Sequence, residues 1–246
     1  VLCENSPNQA IQTNILGTQN VIDAALENNV ERMIFTSSDK AVNPTNVMGT
    51  SKLMCERLMT AAFEAHGNSC PIFATTRFGN VLGSHGSVVP IFRRQIAQGG
   101  PVTLTDKRMT RFIMSLSEAT SLVLKSVWMA QGGEVIVTKM PVARIEDIAH
   151  VMRDTLSDGR EIQITEIGAK PGEKLYEELM NSEEVRRTWE YGAFFVILSA
   201  FADWNAPGYK HLQSLQKPDR PYNSMDESTM SRTELAKYFE ERGVLC

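Results

Sequence analysis

The sequence predicts an α/β protein built on a parallel, doubly wound sheet. Strand-like and helix-like segments alternate along the chain, and the strand-like runs are short, β-branched and bounded by Pro or Gly. Its 246 residues, 42% apolar and 22% charged, suffice for one large domain or a domain and a half.

Each element has a local cause. Ser6-Pro7 offers an N-cap and a first-turn proline, and Ile11, Ile15, Ile22 and Leu26 recur at helical spacing, so a helix is expected to about Asn28, with Gly17 its weak point. A strand follows from Arg32 to Ser37, then a turn, then a helix from about Thr45 to His66 closed by Gly67. Ile72 to Phe78, between Pro71 and Gly79, is a buried strand. Helices are expected over Ser87 to Gln98 and from Ser117, as cap, to Met129; Gly132-Gly133 then sets off a strand from Glu134 to Thr138. The pattern continues with a helix near Arg144 to Leu156, a strand near Glu161 to Ile167, a helix opened by Pro171-Gly172-Glu173, and a strand or buried segment over Ala193 to Leu198. Residues 203–230, rich in Pro, Asn, Asp and Ser, predict irregular structure before a helix from Ser231 to Arg242. There is no internal repeat.

A net charge of −4 gives no basis for a nucleic-acid groove or for attraction to anionic membranes. Cys3, Cys55, Cys70 and Cys246 are scattered and read as reduced thiols, which points to the cytoplasm. His66, His85, His150 and His211 are equally dispersed, and no metal site is expected. The apolar run Ala193 to Leu198 is far short of the roughly 20 residues that span a bilayer.

Ser37-Ser38-Asp39-Lys40 stands where the first strand runs out, and open α/β sheets collect their chemistry at such strand ends. Met48 and Lys52, four residues apart, share a helix face. Taken singly, Ser-Asp-Lys after a strand is a capping turn, Met48 is core packing and Lys52 is a solvated lysine. Their neighbours change that judgement. The run Ser38-Asp39-Lys40-Ala41-Val42-Asn43-Pro44-Thr45-Asn46-Val47-Met48-Gly49 resembles the signature of the nucleotide-sugar 4,6-dehydratases of surface-polysaccharide synthesis, extended short-chain dehydrogenases/reductases.

That resemblance implies the C-terminal part of a Rossmann-type sheet with a smaller α/β substrate-binding region. It divides the chain into residues 1–83, the latter half of the cofactor domain; 84–202, the nucleotide-sugar region with returning sheet elements; and 203–246, an irregular tail and terminal helix. It implies NADP or NAD as cofactor, a UDP-N-acetylglucosamine-like substrate and a homo-oligomer, serving capsule, lipopolysaccharide or glycan synthesis. The implied reaction oxidises C4, eliminates water across C5 and C6, and returns the hydride to C6. Asp39 would be the acid for the departing hydroxyl, Lys40 the base at C5, and Ser38 a hydrogen-bond partner of the C4 oxygen. Lys52 would hold the nicotinamide ribose, with Ser37 and Arg77 also on the cofactor. Met48 replaces the usual tyrosine beside the sugar, and a thioether exchanges no proton. The C4 hydroxyl proton would then pass to Asp39, to Lys40 or through water to Lys52.

Two further blocks extend the resemblance. Arg77-Phe78-Gly79-Asn80-Val81, followed by Gly86-Ser87-Val88, implies Asn80 on the substrate diphosphate and Val88 in the pocket wall, while Arg111 suits the pyrophosphate as a bidentate donor. Gly168 to Leu179 fails the Walker spacing and instead resembles the family's Pro-Gly-Glu-Lys-Leu-Tyr-Glu-Glu-Leu block, placing Glu173 and Lys174 near the nucleotide. No glycine-rich dinucleotide loop occurs, and the chain opens on Val1-Leu2-Cys3-Glu4. The first strands and that loop are therefore expected upstream, and the chain alone to have an open sheet edge and weak or no catalysis. A nucleotide-sugar 4-epimerase and a catalytically silent nucleotide-sugar or dinucleotide sensor remain as alternatives.

Overall fold

The computed structural model describes residues 2–67, 71–84, 86–168, 172–202 and 207–245. Cys70, His85, Ala169-Lys170-Pro171 and Cys246 lie outside them.

A short helix α1 (Leu2–Asn5) opens the chain. α2 (Pro7–Ala10), a π-helical stretch Ile11–Leu16 and α3 (Gly17–Glu27) then run on without a non-helical residue. Gly17 keeps φ −60° and ψ −41°, so the expected weak point is a change from π to α hydrogen bonding rather than a stop. Ser6 makes no side-chain cap there. β1 (Arg32–Ser38) leads through a 3-10 turn, Asp39–Ala41, to α4 (Val47–His66). Asn46 opens α4 by accepting the Gly49 N–H at 2.8 Å, and Gly67 closes it at φ 64°. β2 (Ile72–Phe78), β3 (Asn80–Val81), α5 (Val88–Ala97), β4 (Val102–Leu104), β5 (Thr110–Met114) and α6 (Leu116–Met129) follow. Ser115, not Ser117, caps α6. Its Oγ accepts the Glu118 N–H at 3.2 Å while the Glu118 carboxylate accepts the Ser115 N–H at 2.7 Å.

β6 (Val135–Thr138), β7 (Val142–Arg144), α7 (Ile145–Leu156) and β8 (Ile164–Glu166) come next. The helix expected from Pro171 does not form in the described part of that segment. The Lys174 and Leu175 carbonyls accept from the Arg111 guanidinium and the Thr110 N–H instead of from their own turn. A short strand β9 (Glu178–Met180) follows, then α8 (Ser182–Val185), the hairpin β10 (Thr188–Tyr191) and β11 (Phe194–Ile197), a 3-10 segment Pro207–Leu212, β12 (Tyr222–Asn223) and α9 (Arg232–Glu241). Ser231 and Glu234 cap α9 reciprocally. Among the described residues no helix is long and apolar enough to cross a membrane.

Two compact units result. One combines the chain up to Phe78 with Thr120–Lys139 and Glu178–Tyr222, the other Gly79–Ala119 with Met140–Glu177 and Asn223 onward. In the first, five strands lie in the order β1-β2-β6-β11-β10. β1, β2 and β6 are parallel, and β11 runs antiparallel to both of its neighbours. Ile22 and Ala25 of α3 and Met59 and Ala62 of α4 enclose Phe73 of β2. Burying side chains such as Phe73 and Met59 contributes about 1.5–3 kcal/mol each. In the second unit a three-stranded sheet, β3-β5-β7, and the pair β4-β8 accompany α5, α7 and α9, which share a core including Phe92, Ile148, Met152, Leu235 and Phe239. Gly79 admits β5 closely, since a Cβ there would lie 2.6 Å from that of Phe112.

A buried ion network crosses the first unit. Arg77, 1% exposed on β2, donates to both Glu56 carboxylate oxygens on α4 at 3.1 and 2.6 Å, to both Glu184 oxygens on α8 at 3.0 and 3.1 Å, and to the Leu179 carbonyl at 2.8 Å. Burial alone would favour the neutral guanidine, but Glu184 and Glu56 overcome it and hold the group charged. Glu184 likewise stays a carboxylate despite its burial because Arg77 faces it. Arg77→Met leaves Glu56 buried without its cation and Glu184 with only Arg187 at 3.8 Å, and is expected to lower stability by about 3–5 kcal/mol, read from the urea midpoint; a loss under about 1 kcal/mol would contradict the network's role.

Candidate active site

The C-terminal end of β1 and the first turns of α4 form one polar cluster in the first unit. Ser38 leaves the strand with extended dihedrals, and its Oγ accepts the Lys40 N–H at 3.3 Å while donating to Asp39 Oδ1. Asp39 is 2% exposed. Its Oδ1 also accepts the Lys40 N–H at 2.9 Å and Lys40 Nζ at 3.0 Å, whereas Oδ2 meets Nζ only at 3.3 Å. Oδ2 is thus the less engaged of the two oxygens. The Lys40 side chain is 37% exposed, so the pair has a buried acid and a reachable amine.

α4 lies hard against this turn. A Cβ on Gly49 would stand 2.1 Å from the Lys40 carbonyl oxygen, so only glycine allows the approach. Lys52 donates to the Thr36 carbonyl at 3.1 Å and sits 4.7 Å from the Phe35 ring centre, directly beside the strand end. Burial pushes its ammonium below the usual lysine range. Met48 is half-buried one turn earlier on α4. The Ser37 hydroxyl is buried without a hydrogen-bond partner. Such an orphan costs about 1–3 kcal/mol, and together with the unused Lys52 N–H groups it fits a ligand hydroxyl. Arg77, expected on the cofactor, instead spends every N–H on Glu56, Glu184 and Leu179, and has no donor to offer.

A second cluster lies wholly within the other unit. Asn80 donates to Glu177 Oε2 at 2.8 Å and to the Phe112 carbonyl at 3.2 Å. Arg111, 8% exposed on β5, faces Glu177 Oε1 at 3.3 Å and Glu173 at 3.8 Å. Glu177, which the sequence did not single out, therefore engages both residues expected on the diphosphate, and its N–H is held in turn by Ser224 Oγ at 2.9 Å. The other Arg111 N–H groups go to the Thr110, Leu175 and Lys174 carbonyls and the Met109 sulfur, and the second Asn80 N–H to Phe112, so in this structure neither residue has a donor to spare. Val88 begins α5 and packs on the unit's core. Ser87, the N-cap before it, makes no side-chain cap, and its hydroxyl is buried without a partner. The uncapped first turn of a ten-residue helix is suited to an anion. Among the described residues no cluster of His, Cys, Asp and Glu is arranged to hold a metal ion.

Residues 1–199 match the polysaccharide biosynthesis protein family. The chain is 43% identical over 245 residues, 98% of its length and 71% of the relative's, to an uncharacterised membrane protein of Methanocaldococcus jannaschii. It is 42% identical over 80% of its length to an inverting UDP-N-acetylglucosamine 4,6-dehydratase of Campylobacter jejuni and 40% identical over 84% to a UDP-glucose 4-epimerase of Rickettsia rickettsii. It spans only 57% and 60% of those two proteins. The X-ray structure of Pen from Bacillus thuringiensis superposes with a TM-score of 0.88 at 40% identity, covering 98% of this chain and 71% of that one. The chain belongs to the polysaccharide biosynthesis protein family.

Proposed function

We propose that this chain carries the acid/base residues of an NAD(P)-dependent dehydratase that removes water across C5 and C6 of a UDP-N-acetylglucosamine-like sugar in surface-polysaccharide synthesis. The Asp39–Lys40 pair at the end of β1 is the observation that carries the reading. It couples a buried carboxyl to a reachable amine 3.0 Å away, the two groups that an elimination between neighbouring carbons needs. Ser37 and Lys52 are the residues that would hold the cofactor's ribose. When bound, the nicotinamide supplies hydride acceptance and return, which makes the C5 proton acidic. Lys40 then takes the C5 proton, Asp39 delivers one from Oδ2 to the departing C6 oxygen, and Ser38 holds the C4 oxygen. Met48 shapes the sugar pocket and moves no proton. Within the other unit, Asn80, Arg111, Val88 and Glu173 are the residues that the resemblance assigns to the nucleotide sugar and its diphosphate. The Campylobacter relative supports dehydration. The Rickettsia relative keeps a 4-epimerase as the second reading, although epimerisation has no step for Asp39 to protonate a leaving hydroxyl. The scattered thiols suit a cytoplasmic setting.

Incubating the complete protein with NAD(P) and UDP-N-acetylglucosamine and following the sugar by NMR is expected to give a 4-keto-6-deoxy product. A C4 epimer would establish the second reading, and tight binding without turnover would reject both. Lys40→Ala is expected to lower kcat by about 10²–10⁴ and Met48→Ala by less than about tenfold; the reverse order would overturn the roles of these two residues. Asn80→Ala and Arg111→Lys are expected to raise KM by about tenfold or more with kcat little changed, measured by steady-state kinetics. A fall in kcat at constant KM would remove them from substrate binding.

A further inference from the structure

The sheet of the first unit has a second feature on the face away from α4. Arg77 and Val137 are register partners on the α4 side, so Ile136, paired with Val196, turns the other way. Over Ile136 and Val196 lies a cavity of about 330 Å³ whose walls include Trp128, Glu134, Tyr191 and Tyr209. Tyr209 lies beyond residue 199, outside the stretch that matches the family. Its hydroxyl donates to the Gly132 carbonyl at 2.6 Å, which fixes the ring beside the turn that holds Glu134. His211 meets Tyr191 edge-on, with ring centroids 6.2 Å apart. Trp128, by contrast, stands 83% exposed at the end of α6.

Glu134 is 2% exposed. Its two oxygens accept the Gln131 and Gly132 N–H groups, and among the described residues no lysine, arginine or histidine forms an ion pair with it. Burial pushes its carboxyl up to about 6, and the backbone bonds and the more distant charge of Arg32 oppose that only in part. A carboxylate kept from water with no cation in contact is penalised, and aromatic rings are electron-rich on their faces. Both features favour the same guest.

We propose that this cavity binds a small organic cation, its ammonium head against the Glu134 carboxylate and its alkyl groups against Trp128, Tyr191 and Tyr209. The cation gives Glu134 a contact ion pair in addition to the distant Arg32, and Trp128 gains a partner for its exposed ring. The site stands apart from the Ser38–Lys52 cluster and does not depend on the reaction assigned to it.

The test is a titration of the full chain at pH 7.5 with choline and with its uncharged isostere 3,3-dimethylbutan-1-ol, followed by amide NMR. Choline is expected to saturate with a Kd about tenfold or more below that of the isostere, with shifts centred on Gln131 to Ile136, Tyr191 and Tyr209. Trp128→Ala, a change at an exposed site that leaves the fold intact, is expected to weaken choline about threefold or more, and Glu134→Gln to abolish the preference for charge. Equal affinities, no saturation, shifts elsewhere, or an unchanged Kd in Trp128→Ala would each overturn the proposal.

Discussion

The geometry of the reactive cluster depends on Arg77. Its guanidinium ties β2 to α4 through Glu56 and to α8 through Glu184, at a depth where water cannot substitute for either carboxylate. Buried charges of this kind add little net stability when complete and cost several kcal/mol when broken. Their value lies in register. Glu56 is one turn beyond Lys52 and two beyond Met48, so fixing Glu56 against β2 fixes how far α4 reaches along the neighbouring β1. The small Gly49 completes the constraint from the other end by letting α4 press on the Lys40 carbonyl.

Within that frame the titratable groups differ by environment. Asp39 is buried and collects its donors on Oδ1, Lys40 reaches outward, and Lys52 lies along the strand on Thr36. Replacing tyrosine with Met48 therefore removes one titratable group from a cluster that retains three others. In the second unit, Asn80 and Arg111 gather on Glu177, and the start of α5 lacks a side-chain cap.

Much of this was legible in the sequence because its causes are local. β2 coincides with the expected Ile72 to Phe78, and α4 ends at the expected Gly67, because flanking Pro and Gly and apolar spacing act over a few residues. The cluster at the end of β1 was legible as a motif. What was missed has distant causes. Arg77 looks like a ligand-binding arginine until Glu56 and Glu184, 21 and 107 residues away, close on it. The Pro-Gly-Glu block has helical composition, yet Arg111 and Thr110 take the carbonyls that a helix would use. Ser115 displaced Ser117 as the cap of α6 because only the earlier serine has glutamate three residues on.

Amide hydrogen exchange in Glu56→Gln tests the positioning role of this network most directly. If Arg77 sets the register of α4, the amides of its first turns, Thr50 to Leu53, exchange about a hundredfold or more faster, the counterpart of roughly 3 kcal/mol, while those of α7 and α9 keep their protection. Unchanged protection in those turns, or an equal loss in α7 and α9, would contradict that role.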